Sequence, residues 1–189
     1  MIIALLGESG AGKSLIEGLL CKELSYEKMI SCTTREQRIN EVNGRDYHFI
    51  DNTTFKEAIE KGLFAEYEEY SQGRFYGTLK SDYNTKSDKV VVLTPNGLRQ
   101  LKRNCDMKDI ITVFVTSNLG TRIKRYIDRC GVDKFTFSDK DEISSRVERD
   151  FGMFFGVKDE VDLVVYNNEG TDINDIVQEI VEYVEKIRQ

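Results

Sequence analysis

Four stretches of the chain are short and continuously apolar, at residues 2–6, 90–93, 110–115 and 163–166. Unbroken apolar runs of this length suit strands buried on both faces of a parallel sheet, since a half-exposed strand alternates. Helical patterns follow them at 13–24, 97–102, 121–129 and 173–187. In the last, Ile173, Ile176, Val177, Ile180, Val181, Val184 and Ile187 recur at helical spacing, so one face packs on the sheet. Strands alternating with helices predict an α/β domain, a parallel sheet flanked by helices in three layers.

Two regions break the pattern. Between 33 and 79, Tyr47, Phe49, Phe64, Tyr70 and Tyr76 sit in Gly-bounded segments of alternating character, which predicts a small antiparallel sheet. Within it, 53–61 reads as a short helix capped by Thr53 or Thr54. Residues 121–157 are helical, charged and weakly apolar, properties that suit a mobile lid. The chain then reads as one domain, 1–189, with a core of 1–32, 80–120 and 158–189. A small mixed α/β insertion occupies 33–79 and the lid 121–157. Pro95, the single proline, is expected to mark a turn after a core strand.

The 189 residues are 40% hydrophobic and 32% charged, and no apolar run nears the roughly 20 residues of a membrane helix. Residues 1–6 are too short for a signal peptide, lack a basic leader and run into a glycine-rich loop. A net charge of -6 argues against broad nucleic-acid binding. Yet Arg35, Arg38 and Arg45 cluster in one stretch, and Arg122, Lys124, Arg125 and Arg129 in another. Such clusters on an acidic protein point to small anionic ligands, against the plainer reading of solvated charge. Cys21, Cys32, Cys105 and Cys130 show neither metal-ligand spacing nor a disulfide framework, which fits reduced thiols and a cytoplasmic location. The single histidine, His48, cannot build a His-rich metal site and reads as a strand residue.

Gly7-Glu8-Ser9-Gly10-Ala11-Gly12-Lys13-Ser14 matches G-x-x-x-x-G-K-[ST] at every fixed position, between an apolar strand and a helix. Glycines allow a tight turn that points successive N–H groups inward at the positive end of a helix, a cradle for phosphates. Lys13 is expected to reach the β- and γ-phosphates of ATP, and the Ser14 hydroxyl to ligate Mg2+. Leu15 follows directly and belongs to the same expected nucleotide site.

The next segment, Ser31-Cys32-Thr33-Thr34-Arg35 with Arg38, Glu41 and Tyr47, sets hydroxyls and two arginines around a bend. A guanidinium is a planar fork that holds a phosphate bidentately, as a monophosphate acceptor requires. Tyr76-Gly77-Thr78 adds two hydroxyls beside a flexible glycine. Glu66 by itself reads as an exposed strand carboxylate or as an acceptor facing the N–H edge of a purine.

Taken in order, residues 7–14, Ser31-x-Thr33-Thr34-Arg35-x-x-Arg38, Glu41-x-x-Gly44-x-Asp46-Tyr47-x-Phe49, Phe64-x-Glu66 and Tyr76-Gly77-Thr78 resemble the guanylate kinase family. The second half resembles it through a basic lid and a strand ending in Asn167. The resemblance implies a three-layer P-loop kinase fold with an acceptor-binding insertion and a helical lid over ATP. It implies that Ser31, Arg35, Arg38, Tyr47 and Tyr76 hold the GMP phosphate. Glu66 and Thr78 would read guanine, with Glu41 near the same site. Arg125, Arg129 and Arg146 are the lid arginines expected at the transferred phosphoryl group, Arg149 competing for the last role. Asn167 is expected near the adenine side.

Two departures stand out. The family's Asp-x-Asp pattern is missing from residues 91–97, leaving Thr94 or Asn96 to contact the base. The helix after Thr78 also reads as shortened. Both features mark a divergent branch, one acting on deoxynucleotides or with relaxed base choice.

The implied reaction is in-line transfer of the γ-phosphoryl group of ATP to GMP or dGMP, with Mg2+. An acceptor phosphate is already anionic, so charge from Lys13, the metal, Arg35 and the lid arginines carries catalysis rather than a general base. Two other readings remain. A kinase for another nucleoside monophosphate is favoured by the missing carboxylates. A non-catalytic guanylate-kinase-like interaction domain is opposed by the intact Gly12, Lys13 and Ser14. The expected partners are ATP and a nucleoside monophosphate, without nucleic acid or membrane, in a monomer or dimer.

Overall fold

Strand β1 (Ile2–Leu6) is buried along its whole length, and its alternate side chains serve opposite layers. Ile3 and Leu5 join Ile16, Leu20, Val177 and Ile180 on one side, while Ile2, Ala4 and Leu6 join Leu98, Leu101 and Phe114 on the other. Burial on both faces is why this run carries no polar alternation. The computed structural model describes residues 1–71, 73–83, 86–104, 110–131 and 134–189, so Cys105 lies outside the described residues.

Around β1 runs a five-stranded parallel sheet in the order β2-β7-β1-β8-β9, formed with Glu27–Lys28 (β2), Lys89–Val92 (β7), Ile110–Thr116 (β8) and Leu163–Tyr166 (β9). Helices α1 (Lys13–Glu23) and α7 (Ile173–Arg188) pack on one face through Ile16, Leu20, Val177 and Ile180. Helix α4 (Pro95–Asn104) covers the other through Leu98 and Leu101. The result is the expected three-layer α/β arrangement. Because β7 and β8 flank β1 while the chain turns from β1 into α1, the carboxyl ends of these strands open a crevice where ligands bind in such sheets.

A second sheet has the order β4-β3-β6-β5, from Cys32–Thr33 (β3), His48–Phe49 (β4), Phe64–Ser71 (β5) and Arg74–Leu79 (β6). It is mixed, not antiparallel throughout: β3 and β4 run parallel because the chain returns to the same side before entering β4. Helix α2 (Asn52–Glu60) closes it, stacking Phe55 on Phe64 with ring centroids 4.4 Å apart. A short helix α3 (Lys80–Tyr83) leads back to the core. Helices α5 (Leu119–Cys130) and α6 (Phe137–Met153) follow β8.

Three local expectations are corrected. Helix α2 is capped by Asp51, whose carboxylate accepts the Thr54 N–H at 2.8 Å, and neither threonine caps it. Pro95 does not mark a turn but opens α4, in the first turn, where a missing N–H breaks no helical hydrogen bond. Thr94 precedes it, and its Oγ1 accepts the Gly97 N–H at 3.0 Å. Strand β2 went unforeseen, since two residues leave no periodic signal.

Helix α4 also covers the edge strand β5. The Gln100 carboxamide donates to Tyr67 O at 2.8 Å and accepts the Tyr67 N–H at 3.2 Å, while Asn104 donates to Ala65 O at 2.8 Å. Side chains of a core helix thus occupy the main-chain groups that an open edge would leave bare. Among the described residues, no helix is long and apolar enough to cross a membrane.

Candidate active site

The glycine-rich loop leaves β1 at Gly7, with φ +154, where an added Cβ would stand 2.1 Å from Val115 O. Only glycine permits this approach of the loop to β8. Gly12 ends the loop in a left-handed conformation and starts α1. Lys13 folds back over the loop, its Nζ donating to Gly7 O at 2.6 Å and Glu8 O at 3.0 Å. Burial lowers the Lys13 pKa to about 8, against the opposing pull of Asp150 and Glu8.

Two braces hold the loop. Asn167, buried at the end of β9, donates through Nδ2 to Ala11 O at 2.8 Å and accepts from Arg125 Nη2 at 2.9 Å. Arg125 also reaches Gly10 O at 3.2 Å. On the opposite side, Asp150 of α6 accepts the Ser9 N–H at 2.7 Å. Arg122 lies 3.6 Å from Asp150 and 3.7 Å from Glu8. Ser9 Oγ meets Tyr70 OH at 2.9 Å, tying the loop to β5.

The loop opens into a cleft of about 530 Å³ between the two sheets. Lys13, Ser14 and Leu15 line one end, with Arg125, Arg129 and Arg146 above them. Ser31, Arg38, Glu41, Tyr47, Tyr76 and Glu66 also line it, together with Thr94. Tyr47 and Tyr76 meet edge-on at 5.8 Å, and burial pushes the Tyr47 phenol up to about 12, so it stays a donor.

Arg35 does not line the cleft. Its Nη1 and Nη2 take the Glu41 carboxylate in a fork at 2.9 and 2.8 Å, with the Tyr47 and Phe49 rings each 5.5 Å away. Burial works against its charge, but Glu41 and Tyr76 hold its pKa above the ordinary value. Glu41 in turn accepts the Arg38 N–H at 2.9 Å. Arg35 therefore fixes the bend that presents Arg38.

Of the two α6 arginines that compete for one role, Arg146 lines the cleft and pairs with Glu142, its Nε 3.0 Å from Oε1. Arg149 instead lies over the Tyr70 ring at 3.9 Å. Asn167 stands behind the loop on Ala11 rather than on the cleft wall, and Glu8 faces Arg122.

Thr78 is fully buried and bonds Ser31 Oγ at 2.9 Å. Glu66 pairs with it across β5 and β6. Burial raises the Glu66 carboxyl to about 7; Thr78 pulls the value down and the Glu68 charge pushes it up. Gly97 makes room for this carboxyl, since a Cβ there would lie 2.9 Å from Glu66 Oε2.

Four residues of the site were not singled out for it in the sequence. Glu68 and Tyr70 stand at even spacing from Glu66, and that period was a usable signal. Arg122 was visible only as a member of a basic cluster. Asp150 gave no signal, because nothing in a helical register announces a partner on a distant loop.

Comparisons with known proteins agree on one family. The guanylate kinase family model matches residues 1–187. A guanylate kinase of Lactobacillus johnsonii is 31% identical over 188 residues, covering 96% of this chain and 88% of that protein. One of Salinibacter ruber is 29% identical over 172 residues, covering 89% and 88%. A crystal structure of a guanylate kinase from Anaplasma phagocytophilum shares the fold, with a TM-score of 0.72 at 18% identity over 98% of this chain and 85% of that one.

Proposed function

Because the chain belongs to the guanylate kinase family, we propose that it transfers the γ-phosphoryl group of ATP to GMP or dGMP, giving ADP and GDP or dGDP. The observation that carries this reading is one cleft lined by Lys13 and Ser14 at one end and by Ser31, Arg38, Tyr47 and Glu66 at the other. A phosphate donor and a purine monophosphate then meet with their anionic groups between Lys13 and the lid arginines.

In this reading residues 33–79 form the acceptor region and 121–157 the lid. Arg38, Ser31, Tyr47 and Tyr76 grip the acceptor phosphate, and Arg35 positions Arg38 through Glu41. The acceptor oxygen attacks the γ-phosphorus as the bond to the bridging oxygen of ADP breaks. Lys13, Arg125, Arg129 and Arg146 balance charge spreading over the transferred group, and no side chain has to take a proton. The lid helices exclude water, which would otherwise accept the phosphoryl group.

The Ser14 hydroxyl opens on the cleft beside Lys13. It is a hard oxygen donor of the kind Mg2+ accepts alongside phosphate oxygens and water. Bound there, the ion would neutralise the β,γ-phosphate charge. The free thiols of Cys21, Cys32 and Cys130 fit a cytoplasmic location.

A coupled ADP-release assay with ATP, Mg2+ and GMP, dGMP, AMP, dTMP, CMP and UMP tests the reading. Turnover restricted to GMP and dGMP is expected. The Lys13→Ala variant should lose about 100-fold or more in kcat, the scale for removing a preorganised charge from a transition state. Lys13→Ala turnover within threefold of the parent would overturn the assignment.

A further inference from the structure

A second carboxylate, Glu68, lines the cleft beside Glu66, and the reaction above makes no use of it. Its orientation follows from β5. The register shifts between Phe64 and Glu66, which leaves Phe64 stacked on Phe55 and turns Glu66, Glu68 and Tyr70 into the cleft. Bulges re-aim side chains in this way.

Thr94 holds Glu68 in place. Its Oγ1 accepts the Gly97 N–H at 3.0 Å as the cap of α4, so the hydroxyl proton is directed elsewhere, onto Glu68 Oε2. Gln100, one turn along α4, grips both backbone groups of Tyr67, the residue between the two glutamates. The Glu68 side chain and the backbone between the two carboxylates are thus held from one helix and its cap.

That corner of the cleft is rich in acceptors. Two carboxylates meet there beside the start of α4, Glu68 held by the Thr94 hydroxyl and Glu66 by Thr78. Burial raises the Glu66 carboxyl, and the neighbouring Glu68 charge adds to the rise against the opposing hydrogen bonds from Thr78. Guanine presents N1–H and two N2–H donors along one edge; hypoxanthine lacks the amine, and adenine has an acceptor at N1. We propose that Glu68, positioned by Thr94, is a second guanine-reading carboxylate that takes N–H donors of the base together with Glu66. The chain from β7 into α4 supplies a hydroxyl at Thr94, and β5 of the second sheet supplies the acid that the hydroxyl orients. This rests on the guanylate kinase reading, and Glu68 is then the residue that separates GMP from IMP.

The test compares kcat/KM for GMP, IMP and AMP in the full chain and in Glu68→Gln, Thr94→Val, Thr94→Ser and Glu69→Gln. Calorimetric GMP and IMP affinities of each protein are measured alongside. Glu68→Gln should lower kcat/KM for GMP about 30-fold and for IMP about threefold, as when a polar site loses a matched partner. Thr94→Val should show the same bias more weakly, with Thr94→Ser restoring it. Glu69→Gln, on the opposite face, should match the parent. A Glu68→Gln value for GMP within twofold of the parent would overturn the inference. So would an equal loss for GMP and IMP, which is what a merely structural helix cap predicts. The affinities keep the two readings apart. A parent that binds GMP without releasing ADP refutes the kinase while Glu68 is still judged by binding. A parent that binds no GMP refutes both.

Discussion

The backbone N–H of Ser9 donates to Asp150 Oδ2 at 2.7 Å, joining the glycine-rich loop to helix α6 across 141 positions of sequence. Ser9 belongs to the cradle whose N–H groups suit phosphate oxygens, so a carboxylate of the protein itself stands where an anion is welcome. Nucleotide then competes with Asp150. Asp150→Asn should bind ATP about threefold to tenfold more tightly, the scale of a charge-assisted hydrogen bond made weaker. Its thermal midpoint without nucleotide should fall, because Arg122 loses an anionic partner. Calorimetry with ATP decides the matter, and an unchanged affinity would show that carboxylate and phosphate do not compete.

Gly97 separates stability from recognition. Alanine there improves helix propensity, yet its Cβ would meet Glu66 Oε2 at 2.9 Å and Thr94 Oγ1 at 3.2 Å. Gly97→Ala should raise KM for GMP about tenfold, since small displacements of a positioning group are costly. KM for ATP should stay within twofold and the melting temperature should not drop. Equal changes in both KM values would refute a local effect.

Glu66 makes stability depend on pH in a defined direction. Its folded pKa of about 7 lies above that of a free glutamate, about 4.3. Between those values the folded chain holds more protons than the unfolded one, so this group's contribution declines as pH rises through 7. Glu66→Gln should therefore be more stable than the parent at pH 8, with the gap narrowing toward pH 5.5. GMP affinity of the parent should rise from pH 6 to 8 more than that of Glu66→Gln, because the carboxylate is the form that accepts N–H donors. Melting curves in the reverse order would refute the burial argument.

Asn167 should matter to the loop rather than to base choice. It links Ala11 O to Arg125 at 2.8 and 2.9 Å in a buried position. Asn167→Ala should cost about 1–3 kcal/mol of stability, measured by urea unfolding, because it strands a buried partner. KM for ATP should rise while that for GMP stays level; a change in the KM for GMP alone would contradict this role.

Much of the core could be read from the chain because its signals are local. β1 and β9 needed nothing beyond unbroken apolar runs, and α7 announced its buried face by spacing. Where two nearby groups competed, the reading was less secure. Asp51 outbid Thr53 and Thr54 for one cap, and Arg35 turned from the cleft to Glu41. Glu68 was hidden for a different reason. Its partner Thr94 follows another sheet's strand, and a bulge decides which way it faces. Periodicity is blind to both facts. Asp150 likewise depends on a contact set by tertiary packing alone.

The Gln100 carboxamide has a mechanical consequence. By closing on Tyr67 from both sides, it makes β5 the stationary margin of the small sheet. Any hinge motion of that sheet must then grow with distance from β5, reaching its largest sweep at β4, on the far side. The end bearing Glu66 and Glu68 then stays at rest while the end bearing Arg38 and Tyr47 travels. Hydrogen exchange should accordingly be slow at Tyr67 and faster at Phe49. On the proposed reading a nucleotide would be seated by its base first and clasped by its phosphate afterwards, so that a wrong base would be turned away before the charged groups close around it.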